Sequence, residues 1–438
     1  MRPTAFDGAV PGGVSRMRGP GQVAIALLSA FLTVAVLDRA VAFLDLDYSA
    51  TRGRQNDVRR IERAEFTVDV RLNALGFRER RLPSPKPAGV LRVIALGDSF
   101  TQGYGVEEDD AWPRRLESAL DARRPGRYQV VNLGVPGTNP RDHLSHLRNP
   151  GLVYEPDVVL VTVMGNDVQE RWVQREFGVQ FASGVLVNAR RALLEPPPAW
   201  TRLPRVVFPA LYPYVWGRFY DGPRGQATPT AAAAPPVAPG EAEAVLVALA
   251  DRYRRREAVE NAVATMPTGQ LEVLRPVLEG TVPLDADAAV EPFLRIMAIV
   301  QPRLFADAAL LPRRYDAAWD DVARDLRRIL ALARGAGARP VLIFAPGEQQ
   351  VTAAARPYLE ALGFEWDDRT LTDTAFTDRL GALARAEDVT FIDLLPVLRA
   401  RRDDGLYFPK DGHWSPAGHR FVADVVAGVL EPAEDSSF

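Results

Sequence analysis

The chain has 438 residues, 47% of them hydrophobic, a formal net charge of -3 and no cysteine. That length and apolar content suffice for one large domain or two smaller ones. The interspersed charge leaves no basic footprint for nucleic acid, and the lack of cysteine excludes disulfides, thiolate metal sites and cysteine nucleophiles.

Residues 1–22 are rich in Gly and Pro and read as a flexible N-terminus. "VAIALLSAFLTVAVL", Val23 to Leu37, follows without a charge. Counted from Gly19, the run reaches the lower limit of a bilayer span, roughly 17–25 residues. Residues 23–44 therefore read as a membrane anchor or a signal segment. An uncleaved anchor is favoured, because Asp38 and Arg39 crowd the one small-x-small cleavage site, Ala40-Val41-Ala42. Residues 45–88 read as a stalk and lead-in: a charged helical or extended piece, then a loop punctuated by Gly and Pro.

Regular alternation begins at residue 89. "LRVIAL", "YQVVN" and "DVVLVTVM" are short apolar, part β-branched runs separated by helical patterns, and read as three strands. Residues 168–315 break the pattern and read as a large inserted cap, with an Ala/Pro linker at 227–240. Alternation resumes over 316–430 with two more strands, "RPVLIF" and "VTFIDL". A last helix has Ser415 as N-cap and Pro416 in first position. Residues 431–438 form a C-terminal tail. Strands alternating with helices predict an α/β fold with a mostly parallel, five-stranded sheet covered on both faces. Ligands in such sheets bind beyond the C-terminal ends of the strands.

Polar clusters collect at that edge. The first strand stops at Gly97 and is followed by Asp98 and Ser99, so Ser99 stands where a nucleophile would. A serine needs a base. Among the four histidines, His143, His146, His413 and His419, the best placed is His413 in "KDGHWSPAGH", Lys410 to His419. Asp411 lies two residues before it and, in an extended segment, on the same side. There it can orient the imidazole and stabilise its charged form. Gly137, after the second strand, and Asn166, after the third, are donors of the right types for an oxyanion hole with the Ser99 amide. His143 and His146 lie three apart on one helix with no third ligand, and read as structural. His419 reads as a packing or surface residue. No metal and no cofactor are called for.

The ordered blocks "GDSFTQG", "NLGVPGTN", "GND" and "DGHWSPAGH" resemble those of the SGNH, or GDSL, hydrolase superfamily. "NALGFRE", Asn73 to Glu79, is similar to a segment preceding the Ser block in bacterial members. The resemblance implies a three-layer α/β/α, flavodoxin-like domain. It implies Ser99 as nucleophile, His413 as base, Asp411 as third member, and Ser99, Gly137 and Asn166 as oxyanion donors. Many members space the last pair as Asp-x-x-His, whereas this chain has Asp-x-His, which leaves Asp403 and Asp404 as fallback carboxylates. The expected activity is ester hydrolysis through an acyl-enzyme, on an acylated small molecule, glycan or lipid. O-acyl transfer to an envelope polysaccharide is the alternative, and a non-catalytic, membrane-anchored binding protein the rival. The expected partner besides substrate is the membrane, with the catalytic domain outside the cytoplasm, or secreted if the segment is cleaved.

Overall fold

The computed structural model describes residues 28–37, 56–177 and 301–430, with isolated positions at 207, 291, 294, 295, 297 and 298. Most of the predicted anchor, the bulk of the predicted cap with its Ala/Pro linker, and both chain ends lie outside these residues. Residues 28–37 are helical. Among the described residues no helix is long and apolar enough to cross a membrane.

Five parallel strands form the central sheet: β3 (Leu91–Leu96), β4 (Tyr128–Asn132), β5 (Val158–Val163), β6 (Arg339–Phe344) and β7 (Thr390–Asp393), in the order β4-β3-β5-β6-β7. All six residues of β5 are buried, as are the last five of β3 and of β6. Both faces are covered, which is why these strands read as continuous apolar runs rather than alternating ones.

The order places the site. From β3 the chain moves outward to β4, then crosses back to β5 on the other side of β3. Right-handed crossovers in opposite directions put successive helices on opposite faces. Two helical groups result. The helix α2 (Trp112–Arg123) packs with the last helix, α7 (Pro416–Leu430). The helix α6 (Asp316–Gly335) packs against α3 (Pro140–Arg148) and α4 (Gly165–Phe177). The reversal opens a crevice beyond the C-terminal ends of β3 and β5, where ligands bind in open α/β sheets. Ser99 and Asn166 follow those two strands.

Within the segment read as stalk and lead-in, the structure differs from expectation. The strands β1 (Val58–Glu62) and β2 (Thr67–Arg71) pair as an antiparallel hairpin. Ile61, Val68, Val70 and Leu72 are buried and form a small core against Phe66 and Tyr104. The sequence shows why: in "TVDVR" the apolar residues alternate with charged ones, a half-buried strand pattern, which the surrounding charge obscures.

Candidate active site

The Ser block is a single helical turn, α1 (Ser99–Gln102). Asp98 caps it, its carboxylate accepting from the Phe100 N–H at 3.0 Å, and Gly103 ends it at φ 84°. With one turn there is no macrodipole to speak of, so charge stabilisation at Ser99 comes from individual N–H groups. Gly97 is required by crowding, since a Cβ there would meet Thr101 Oγ1 at 2.0 Å.

The loop after β4 is locked to this turn. The Val135 N–H donates to the Gly97 carbonyl at 3.1 Å, and Thr138 Oγ1 donates to the Val135 carbonyl at 2.7 Å. A Cβ on Gly134 would meet the Gln102 nitrogen at 2.3 Å, so only glycine allows the two loops this close. Gly137 follows at φ 66°.

Asn166 opens α4. Its Nδ2 donates to Asp98 Oδ2 at 3.1 Å and lies 3.5 Å from Glu170 Oε1. The Asp98 carboxylate thus ties the Ser99 turn to the Asn166 amide. Burial pushes Asp98 upward, against the Asn166 hydrogen bond, and pushes Glu170 and Asp167 well above the usual carboxylate range. Neither Asp98 nor Glu170 stands out in the sequence as a site residue. Glu170 is one helical turn after Asn166, and that i,i+4 spacing was the available signal.

The returning end of the segment read as cap buttresses the same place. The helix α5 (Leu304–Leu310) passes so close that a Cβ on Gly165 would lie 2.1 Å from the Ala308 carbonyl oxygen. Gln169 Nε2 also donates to the Leu304 carbonyl at 2.6 Å. Gly165→Ala is expected to lose about 1–3 kcal/mol, the cost of overpacking against rigid backbone. Chemical denaturation measures it, and an unchanged midpoint would show that the two helices separate freely.

His413 arrives from the loop before α7. Its Nε2 is 2.8 Å from Ser99 Oγ, and its Nδ1 is 2.5 Å from Asp411 Oδ1. The rings of Phe100 and Tyr104 each lie 4.7 Å from the imidazole. Burial alone would lower the His413 pKa, but the charge and hydrogen bond of Asp411, with help from Asp98, raise it above its ordinary value. Burial opposes ionisation of Asp411 too, yet His413 holds its carboxyl below the usual range. The pair does not meet through the extended segment that the i,i+2 spacing predicts. Gly412, between the two, sits at φ 81° in a tight turn, a conformation that glycine adopts without penalty. Asp403 and Asp404, the fallback carboxylates, instead lie beside Arg402 and Arg401 on the exposed surface.

The other histidines are buried. His419 Nδ1 accepts from the Trp112 N–H at 3.1 Å, and burial pushes its pKa down to about 3, which keeps it neutral. His143 Nε2 lies 3.2 Å from Thr138 Oγ1. It too stays neutral, because burial depresses its pKa strongly. Among the described residues no group of three or more His, Asp or Glu could hold a metal ion.

"NALGFRE" turns out to brace the site from behind. Asn73 organises the turn, its Oδ1 accepting from the Leu75 and Phe77 N–H groups. The buried Arg78 donates to the carbonyls of Gly103 and Val106, at 2.7 and 2.8 Å, just past the Ser99 turn. The buried Glu79 accepts from the Asn132 N–H at 2.6 Å at the end of β4.

A parallel α/β sheet with Ser99, His413 and Asp411 in one hydrogen-bonded chain at its C-terminal rim has the architecture of a serine hydrolase. Two family models agree. One, described as the GDSL-like lipase/acylhydrolase family, matches residues 95–272, and the other, the SGNH hydrolase-like domain of the acetyltransferase AlgX, matches residues 304–437. Each model describes an SGNH- or GDSL-type hydrolase domain, so the resemblance to that superfamily is shown over residues 95–272 and 304–437. The matches reach further into 168–338 than the four blocks suggest. Similar solved structures include a lipase/acylhydrolase from Enterococcus faecalis, at 11% identity and TM-score 0.33, covering 78% of this chain and 97% of that one. An acetylxylan esterase from Geobacillus stearothermophilus is similar at 13% identity and TM-score 0.34, covering 79% and 96%. The acetyl xylan esterase AlAXEase gives 12%, 0.37, 78% and 100%. No curated protein matches the chain.

Proposed function

We propose that the protein cleaves acyl esters through a covalent acyl-enzyme on Ser99. The observation that carries this reading is the unbroken chain Asp411–His413–Ser99, at 2.5 and 2.8 Å. Neutral His413 takes the Ser99 proton as Oγ attacks the ester carbonyl carbon, and the C=O electrons move onto oxygen. The Ser99 and Gly137 N–H groups and the Asn166 amide are the donors for that oxyanion. Collapse expels the alcohol, which takes the proton from His413. A second hydroxyl then gives its proton to His413, attacks the acyl carbon and frees Ser99.

If that hydroxyl is water, the reaction is hydrolysis; if it belongs to a sugar, the reaction is O-acyl transfer. The AlgX match over the half that carries Asp411 and His413 favours keeping transfer as the second reading. An acylated glycan or lipid at the cell envelope is the proposed substrate. The proposed anchor is supported by the helix at 28–37, on which Leu28, Phe31, Leu32, Val36 and Leu37 are all exposed. Residues 168–315 are proposed to shape the acyl pocket.

The test incubates the full chain with p-nitrophenyl acetate, with and without a deacetylated polysaccharide. Free acetate in both arms marks hydrolysis. Acetate appearing on the polysaccharide by mass spectrometry marks transfer. Turnover equal to that of Ser99→Ala in both arms would leave the non-catalytic rival standing.

A further inference from the structure

The β1–β2 hairpin precedes both family-matched regions, yet its tip reaches the loop that carries Asp411 and His413. That loop closes on itself at two points: the Phe408 N–H donates to the His413 carbonyl, and the Gly412 N–H to the Phe408 carbonyl, both at 2.8 Å. The next amides back, those of Lys410 and Asp411, point the other way. Both donate to the hairpin: Glu65 Oε2 accepts from the Lys410 N–H at 2.9 Å and from the Asp411 N–H at 2.8 Å. Around this bond, Phe66 packs on Phe408 with ring centroids 4.9 Å apart. Arg63 Nη2 donates to the Tyr104 hydroxyl at 3.1 Å, and the Tyr104 ring lies against His413. Gly105 makes room for the tip, since a Cβ there would meet Phe408 at 2.9 Å and Phe66 at 3.2 Å.

We infer that Glu65 is a positioning residue, whose carboxylate fixes the Asp411–His413 turn, so that the lead-in hairpin is part of the catalytic apparatus. This rests on the acyl-enzyme reading. Gly412 gives the turn conformational freedom at the point where the carboxylate–imidazole geometry is decided. An acceptor for two consecutive amides just before it removes that freedom. A displacement of about 1 Å at such a point costs on the order of 100-fold in rate.

Three variants test it in the full chain. Glu65→Met keeps the length of the side chain but has no acceptor. It is expected to lower kcat about 10–100-fold with little change in KM. Because Asp411 then holds His413 less firmly, the acid limb of the pH–rate profile moves to lower pH. The other charged or titratable groups around His413 (Asp98 before α1, Tyr104 after it, Arg63 on the hairpin, His419 in α7) are unchanged by the substitution. Glu65→Gln, with its oxygen in the place of Oε2, restores both amide bonds and is expected to recover most of kcat and the wild-type acid limb. Arg60→Ala, on the exposed side of the hairpin, leaves both unchanged. In the wild-type chain, amide exchange of a peptide spanning 406–414 is expected to be slow. Exchange at the rate of an unstructured peptide overturns the inference whatever the variants do. So does a Glu65→Met enzyme with wild-type kcat, or one that loses stability and kcat while its acid limb stays in place. Labelling by a fluorophosphonate separates the two claims: a wild-type chain that is not labelled at Ser99 refutes the acyl-enzyme reading itself, whereas normal labelling with an indifferent Glu65 refutes only the positioning role.

Discussion

Ser99→Ala is expected to abolish turnover, with kcat falling about 10⁶-fold, and to abolish fluorophosphonate labelling, while leaving the fold intact. The contrast between activity and stability follows from what Ser99 contributes to each. In the proposed reaction its Oγ is the attacking atom, and it is 2.8 Å from His413 Nε2. For the fold its role is in the backbone: the Ser99 carbonyl accepts from the Gly103 and Tyr104 N–H groups at 3.1 and 3.0 Å, and alanine keeps both. The capping bond of the turn belongs to Asp98, not to Ser99. Thermal denaturation should therefore give overlapping curves for the two proteins. Residual turnover within a hundredfold of wild type would mean that ester cleavage in this protein does not pass through Ser99, and the acyl-enzyme would have to be abandoned.

The parts of this arrangement visible in the sequence are those fixed by short segments. Leu91–Leu96 ends in Gly97 because the Thr101 side chain leaves no room for a Cβ, so the exit of the strand was legible as a motif. Ser415 caps the last helix, accepting from the Gly418 N–H at 3.3 Å, as the Ser-Pro signature implies. Asp411 does lie beside His413, but through a turn at Gly412 rather than through the extended segment that the spacing suggests. What stayed hidden are contacts between distant segments. Glu65 and Asp411 are 346 positions apart, and nothing local in "ERAEF" distinguishes Glu65 from its charged neighbours. The hairpin reads as a stalk because charge dominates its composition, while its buried residues are only Ile61 and the short alternating run Val68, Val70 and Leu72. Nothing in the block "GDSFTQG" marks Asp98 for a role of its own. Its hydrogen bond to Asn166 depends on β3 and β5 being neighbours, which is a property of the sheet order and not of either segment.

Asp411→Asn is expected to lower kcat about 10⁴-fold at the pH optimum and to move the acid limb of the profile toward lower pH. In the wild-type protein the base must be neutral to accept the Ser99 proton. Asp411 raises the His413 pKa above its ordinary 6.5 despite burial. Activity should therefore fall as the pH drops through a value above that of a free histidine. Asparagine removes the charge but not the burial, so the imidazole loses its proton more readily and the limb shifts down. The plateau falls nevertheless, because an amide N–H turned toward Nδ1 selects the tautomer with its proton on Nε2, which donates to Ser99 Oγ instead of accepting from it. The same pair acts on stability with the opposite dependence at its two ends. The raised His413 pKa contributes stability that is lost as pH rises through it, and the lowered Asp411 pKa contributes stability that is lost as pH falls through it. Between those two values the wild type should unfold at a higher denaturant concentration than Asp411→Asn, and outside them the difference should shrink. A variant with the wild-type acid limb and the same stability difference at every pH would mean that Asp411 only packs beside the imidazole, and the orienting carboxylate would then have to be sought elsewhere.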